Sequence, residues 1–453
     1  MRVAIVLERA RIDGTVRVAL REARGLRDRG HDVLVLCAEG DLVEDVAAVA
    51  SRLIVEPALA LGPSAARDAG ARARASVALA DRDAVLAVAG AAFPLAVAAR
   101  VSAPVYLEIL SNDLFVGDDP DVVAELHRAV VEGRVLGHAL EDVLAHARRY
   151  DFAVGSVVFA DLPVAEPGRR APLPREAFVA GDELLVVTAT RLDDDHLGYV
   201  RPLVRGIGAL RANGYPLRLL VVGDGQHGAE LRAEAPPFVT HAGFRHDLDD
   251  IYPLADVYVG EGSSRLEAAL AGVPVVSSCA QTEPRFAEFA SCVYGLNQGT
   301  LHAYCPSSVV PPTAFAEAIA LLLDDNALRA RVATRGRERV RAVHDVGRYL
   351  SFLEAYLAGD RRGSNVATAP TSVESVRGDD PFALERAAEH ARANRALGVV
   401  ANPPLSWRAF ANLPQDCWDA LADASRRAVL FGQSEPLRCT PSSSTAKPSP
   451  ERP

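Results

Sequence analysis

Residues 241–278 read HAGFRHDLDDIYPLADVYVGEGSSRLEAALAGVPVVSS. Asp256–Val259 and Val273–Ser277 are short apolar, β-branched runs with the signature of buried strands. Between them a helix starts near Ser264, preceded by the small residues Gly260, Gly262 and Ser263. A strand, a helix and a strand in succession form the unit of a parallel sheet.

The same alternation runs outward from this stretch. Before it come strands over Glu183–Ala189, Leu217–Val222 and Phe238–Thr240. Helices over Pro312–Asp324, Ala327–Val343 and Arg348–Ala358 follow it. Residues 165–181, AEPGRRAPLPREAFVAG, hold three prolines and no periodicity, so they read as a linker. A second alternating block precedes the linker, with strands over Val3–Leu7, Asp32–Cys37, Arg52–Val55, Ala84–Ala89, Pro104–Ile109 and Asp151–Val157. Its first helix, Thr15–Arg29, carries Val16, Leu20, Ala23 and Leu26 on one face, and Gly30 caps it.

The fold class is therefore α/β, with two doubly wound Rossmann-like domains facing a cleft: 1–164, a linker over 165–182, and 183–359. Parallel sheets of this kind bind ligands beyond the carboxyl ends of their strands, so the cleft is the expected site. Residues 360–453 are polar and Gly/Ser/Thr-rich at first. They contain two helical stretches, Pro381–Leu397 and Pro414–Phe431, and a terminus expected to be disordered.

Composition narrows the chemistry. Of 49 basic residues one is lysine, Lys447, in the Ser/Pro-rich end. A GxxxxGK[ST] phosphate loop needs its lysine on the phosphates, and Schiff-base enzymes need a lysine amine. Both classes are excluded from the first 446 residues. The net charge of −10 argues against nucleic acid as a main partner. No apolar run reaches the ~18 residues of a membrane span. MRVAIVLERA reads as a buried strand rather than a signal peptide. The six cysteines, Cys37, Cys279, Cys292, Cys305, Cys417 and Cys439, form no CxxC pair. A reduced, cytoplasmic protein without a zinc site is the expectation.

Three ordered fragments carry a more specific signal. They are TATRLDDDHLGYVRPLVRGIGAL from Thr188, LRLLVVGDGQHGAEL from Leu217, and the stretch quoted first. In that order and spacing they resemble the C-terminal domain of GT-B nucleotide-sugar glycosyltransferases, closest to the retaining family four. The resemblance covers residues 183–358 by motif and 1–165 by architecture. It implies transfer of a sugar from a UDP-, GDP- or dTDP-linked donor to a small-molecule acceptor. The only co-substrate is then the nucleotide sugar, and no metal or other cofactor is required. A specialised-metabolite acceptor is the expectation that fits the soluble, acidic chain.

The resemblance also distributes roles. Arg191, at the end of a strand, would stabilise the charge that grows on the leaving diphosphate. The family follows this arginine with a lysine, and His196 stands there. Asp193-Asp194-Asp195 reads as a solvated helix start rather than a metal-binding motif. Gly223-Asp224-Gly225-Gln226-His227-Gly228 is a literal GxGxxG, read as a donor-side turn rather than a dinucleotide fingerprint because no acidic residue closes the next strand. Gly262, Ser263 and Ser264 open a helix whose free N–H groups suit a diphosphate. Glu267 would hold the ribose hydroxyls, although Ser264-x-x-Glu267 also has the form of a capping box.

The family's second glutamate falls on Val259, and Glu261 could stand in for it. Phe244 reads as a base contact or as core. Tyr252 and Asp256 read as structural. In the first block Gly14 would approach the donor or acceptor closely. The stretch PVYLEILSND lacks the family's histidine and offers Glu108, Asn112 and Asp113, with Glu108 assigned to the acceptor hydroxyl. The arginines of the first helix, Arg17, Arg21 and Arg24, read as an ordinary solvated face, as do Arg335, Arg337, Arg339 and Arg341. Two alternatives stay open: a decayed GT-B nucleotide-binding or regulatory protein, and a GT-B sugar-nucleotide epimerase.

Overall fold

The computed structural model describes residues 1–110, 114–138, 140–153, 156–166, 173–260, 262–277, 301–302 and 312–360. Among them, seven parallel strands form one sheet: β1 (Arg2–Arg9), β2 (Asp32–Ala38), β3 (Arg52–Val55), β4 (Ala84–Val88), β5 (Val105–Ile109), β6 (Val135–Gly137) and β7 (Val158–Phe159). Their order is β3-β2-β1-β4-β5-β6-β7. The second sheet has β8 (Leu184–Ala189), β9 (Leu217–Val222), β10 (Val239–Gly243), β11 (Val257–Gly260), β12 (Val275–Ser277) and β13 (Leu301–His302), ordered β10-β9-β8-β11-β12-β13. Both sheets are wound outward from a central pair, β1/β4 and β8/β11. Each pair marks the switch point where ligands bind such sheets.

The α-helices of the first domain are α1 (Gly14–Asp28), α2 (Val43–Val49), α3 (Ala69–Leu79), α4 (Phe93–Ala98), α5 (Pro120–Val131) and α6 (Leu140–Tyr150). After the linker come α7 (Asp194–Ala212), α8 (Gly228–Glu234), α9 (Leu248–Ile251), α10 (Gly262–Leu270), α11 (Pro312–Asp324), α12 (Asn326–Val343) and α13 (Val346–Leu357). The strict alternation of strand side chains feeds two core layers per sheet. In the first domain Ala4, Val6, Val85, Ala87 and Leu107 face one layer, and Val3, Ile5, Leu86 and Tyr106 face the other. In the second, Val257 and Val259 face one layer and Tyr258 the other.

The sequence order places α13 with the second domain. It packs instead on the first sheet. Tyr349, Leu350, Phe352, Leu353 and Tyr356 join Val3, Ile5 and Tyr106 in one core. The chain after α12 crosses back to reach this sheet, where the apolar face of α13 is covered. Asp345 caps α13 by accepting from Arg348 N at 2.7 Å.

Several boundaries differ from expectation. The strand expected over Asp151–Val157 forms two residues of β7, because α6 runs to Tyr150 and Asp151 turns with φ +53°. The short β6 and β13 carry too few residues to show a period. Asn112, Asp113 and Glu261 lie outside the described residues, as do the tail stretches Pro381–Leu397 and Pro414–Phe431. Among the described residues no helix is long and apolar enough to cross a membrane.

Candidate active site

The candidate site is built where β8 and β11 end. β8 stops at Ala189, and the chain then turns through Thr190 and Arg191. Gly223 lies against this turn: its N–H donates to Gly243 O at 2.8 Å, while Thr190 N–H donates to Val222 O at 2.9 Å. A Cβ on Gly223 would sit 1.9 Å from Thr190 O, and its φ of +129° is open to glycine. At Gly225 a Cβ would lie 2.7 Å from Leu192 O. Leu192 N–H donates to Asp224 O at 3.1 Å, and His227 N–H returns to Leu192 O at 2.8 Å. The glycines thus serve backbone-on-backbone packing that fixes the segment carrying Arg191. The Arg191 side chain is 38% exposed and faces Asp193, with Nε 3.4 Å from Oδ2. His196 lies in the first turns of α7, and its side chain is outside the described residues.

At the end of β11, Val259 is fully buried in the core. The position where a family glutamate was expected is thus a packing residue of the core. Gly262 follows with φ +62° and open space where a Cβ would be. The helix α10 begins there, so Ser264 is its third residue and not its N-cap. The capping-box alternative fails on that position. Ser264 Oγ is instead 2.7 Å from the Tyr258 hydroxyl, which holds it against β11. At the far end of α10, Arg337 donates to Leu270 O at 3.2 Å and to Ala271 O at 2.7 Å. Those contacts satisfy carbonyls that a helix end leaves open.

Glu267, 7% exposed, is the most heavily engaged carboxylate of the site. Arg17 Nη1 donates to Oε2 at 3.1 Å, the Tyr252 hydroxyl donates to Oε2 at 2.9 Å, and Arg21 Nη2 donates to Oε1. Burial pushes its carboxyl up, but Arg21 and Arg17 outweigh that and leave it below its usual range. These arginines come from α1 of the other domain. The expectation of a solvated face is thus corrected for Arg17 and Arg21 and holds for Arg24, which is exposed. Tyr252, read as structural, touches the same carboxylate. Asp256 is structural: it accepts from Leu185 N at 2.7 Å and pairs with Arg175. A sequence read one domain at a time carries no signal for a pair that spans 250 residues.

Phe244 is half-buried beyond β10 and lies edge-on to His246, with ring centroids 4.6 Å apart. Arg245 grips Asp247 through Nε and Nη2, at 2.8 and 2.5 Å. Across the cleft, Asp13 caps α1 through Val16 N at 2.7 Å. Gly14 is exposed, with nothing within 4 Å of an added Cβ. That space is available to a ligand.

Glu108 does not join this group. It is 0% exposed on β5 and faces α1 and α13. His138 Nε2 lies 2.6 Å from Glu108 Oε1, and the Tyr349 hydroxyl lies 3.1 Å from the same oxygen. Tyr349 also donates to the fully buried Glu22. Burial raises Glu108 to about 7, against the lowering effect of hydrogen bonds from Glu22 and Tyr349. Burial and the neighbouring Glu108 raise Glu22 well above its range, and burial lowers His138 to about 4. A carboxyl so enclosed does not reach an acceptor hydroxyl, and its work is to join three elements.

Residues 184–325 match the family model of the glycosyl transferases group 1. No curated protein sequence matches the chain. Among solved structures, Anabaena Alr3699/HepE in complex with UDP and glucose aligns over 79% of this chain and 100% of its own, at 16% identity and a TM-score of 0.58. A glycosyltransferase of Rickettsia africae aligns over 80% of this chain and 99% of its own, at 14% identity and a TM-score of 0.61. The glycotransferase of kitacinnamycin aligns over 79% and 99%, at 18% identity and a TM-score of 0.52. At these identities the likeness is one of fold. Family match and fold agree: residues 184–325 match the group 1 glycosyl transferases, within a chain that has the two-domain GT-B fold of these solved structures.

Proposed function

We propose that the protein moves a sugar from a nucleotide-sugar donor to a hydroxyl of a small-molecule acceptor, with retention of configuration. The observation that carries this is the end of β11. There the start of α10, with Gly262, Ser263 and Ser264, and the carboxylate of Glu267 face the first domain at the sheet's switch point. A helix start suits the diphosphate and a carboxylate suits the ribose diol. Arg191 takes the charge released as the bond from sugar C1 to the diphosphate oxygen breaks. The new bond joins C1 to the acceptor oxygen, whose proton is lost. Gly223 and Gly225 serve the donor by fixing the backbone around Arg191. Phe244 stands at the base end, and Gly14 leaves room on the other wall. His196 is the second cation. Glu261 remains the proposed substitute for the missing glutamate. Closing the cleft excludes water that would hydrolyse the donor.

The leaving-group charge is assigned to arginine, histidine and a helix start, so activity should survive chelation of divalent metals. UDP stands first among donor bases because the HepE structures hold UDP and UDP-glucose. A small soluble acceptor from specialised metabolism is in keeping with the acidic chain and with the kitacinnamycin glycotransferase among its fold neighbours. A cytoplasmic site of action fits the same composition.

The test is a thermal-shift screen with UDP, GDP, dTDP and ADP, followed by transfer assays with a broad donor panel. Saturable binding of one diphosphate and transfer from its sugar conjugate are expected. The absence of both binding and transfer would sink the proposal. Binding without transfer or hydrolysis would favour a decayed scaffold, for which Val259 and His196 are the motivating departures. Donor interconversion without an acceptor would indicate an epimerase.

A further inference from the structure

Glu267 is asked to hold a ribose, yet its oxygens are already taken. A ribose diol brings two hydroxyl donors, and a carboxylate has about four lone-pair positions on two oxygens. Oε1 receives Arg21, and Oε2 receives both Arg17 and Tyr252. The carboxylate side chain is 6% exposed, so a ribose enters by taking over bonds that guanidinium groups now make.

The two arginines are not equivalent. Arg21 is 17% exposed and has a second anchor, Nη1 to Pro163 O at 3.1 Å, where the chain leaves the first domain. Arg17 is 30% exposed and lies a turn closer to the start of α1, three residues from the open space beside Gly14. The acids that bear on Arg17 are Glu267 and Asp249, both of the opposite domain. Loosening Arg17 from Glu267 leaves a guanidinium beside the ribose. The diphosphate hangs from the 5′ carbon of that ribose, within the sweep of an arginine side chain. Guanidinium groups exchange carboxylate for phosphate readily, because both offer paired oxygens to the same fork.

We propose that Arg17 is a donor-binding residue that pairs with Glu267 in the donor-free protein and transfers to the donor's diphosphate when the ribose occupies Glu267. Arg21 keeps its place at the domain junction. This rests on the donor site described above. It adds a phosphate cation from the facing domain, in a chain whose one lysine lies at position 447. It also makes donor binding and cleft geometry depend on one side chain.

The experiment compares UDP with uridine by calorimetry and displacement, using the full-length protein and the variants R17A, R17Q, R17K and R21A. If another diphosphate binds more tightly, it and its nucleoside replace this pair. The readout is the ratio of the nucleoside Kd to the diphosphate Kd. R17A and R17Q should lower that ratio by about tenfold or more, since a charge-assisted phosphate contact is lost while the nucleoside contacts remain. R17K should stay within about threefold of the unsubstituted protein, and R21A within about twofold. Should R17A not fold, as judged by its ligand-free melting, R17Q and R17K carry the comparison.

An unchanged ratio in R17A or R17Q overturns the role of Arg17. An equal tightening of both ligands also overturns it, because Arg17 would then only compete for Glu267. Failure of the unsubstituted protein to bind any diphosphate is a different result: it removes the donor site itself, and this inference with it.

Discussion

At the scale of single residues, Arg191 and His196 are the cations proposed for the leaving diphosphate. Arg191 is 38% exposed and its one described ion-pair partner, the 25% exposed Asp193, is 3.4 Å away. Pairs of this kind add little to stability. Arg191→Ala should therefore melt within a degree or two of the parent, while kcat falls by about 10²- to 10³-fold, the range for removing one preorganised charge-stabilising group. A melting scan and a transfer assay check the two halves, and an unchanged rate would take Arg191 out of the mechanism. His196 stands where a family lysine was expected, and an ordinary imidazole is charged only in the acid part of the neutral range. Activity should accordingly decline as pH rises from 6 to 8. His196→Lys should flatten that profile, since an ammonium stays protonated throughout. Matching profiles in both forms would show that this position does not carry the charge.

At the scale of elements, α1 and α13 close over an acidic cluster whose Glu22 and Glu108 are fully buried. Glu22 comes from α1, Glu108 from β5, His138 from the end of β6 and Tyr349 from α13. Tyr349 has one proton for two carboxyls, and burial together with the neighbouring carboxyl keeps a further proton on the pair. A carboxyl with a raised folded pKa favours the native state fully below its unfolded value near 4.3. That contribution is lost as pH climbs through the folded value, about 7 for Glu108. His138, lowered by burial, gives the opposite slope over much of the same window. The informative quantity is therefore a difference. Glu108→Gln should lose less stability than the parent between pH 4.5 and 7.5 in urea titrations at matched pH, and parallel curves would refute the shared-proton joint. The turn at Gly223 is a second element-scale case. Gly223→Ala meets the Thr190 carbonyl and an unsuitable φ, and should cost about 3 kcal/mol or more by chemical denaturation.

The same elements show what the sequence could tell. Strands of five or more apolar residues, the turn at Gly223 and the Gly260–Glu267 segment were legible because each has a local period or a local chemical signature. The short β6 and β13 were not, since two or three residues display no period. Nor was the destination of α13, whose amphipathic pattern declares an apolar face without naming the sheet that covers it. Glu108 was legible as a strand-end carboxylate, but the helices that enclose it come from opposite ends of the domain order.

At the scale of the whole molecule, α1 is the member that both domains share. One of its faces is held by Glu22 to β5 and α13, and another carries Arg17 and Arg21 to Glu267. The linker runs close to this contact, with Arg21 bonded to Pro163 O and Val164 N bonded to His344 O at 2.8 Å. The two ionic joints on α1 respond to pH with opposite signs. Glu267 has its folded pKa lowered, so its contribution is present above the unfolded value near 4.3 and is lost as pH falls through the folded value. The acidic cluster weakens toward alkaline pH, and the inter-domain pair weakens toward acid. Glu267→Gln tests the second joint. Removing one charge from a buried pair leaves the two guanidinium groups without their acceptor, which costs on the order of 3 kcal/mol at pH 7. The deficit should shrink below pH 4, where the parent loses the same charge. Hydrogen exchange should localise the loss to the cleft side of α1 and to α10 rather than to β1–β4, whose pairing does not involve Glu267. A deficit that stays constant from pH 3 to pH 7 would mean that the carboxylate's charge does not hold the domains together.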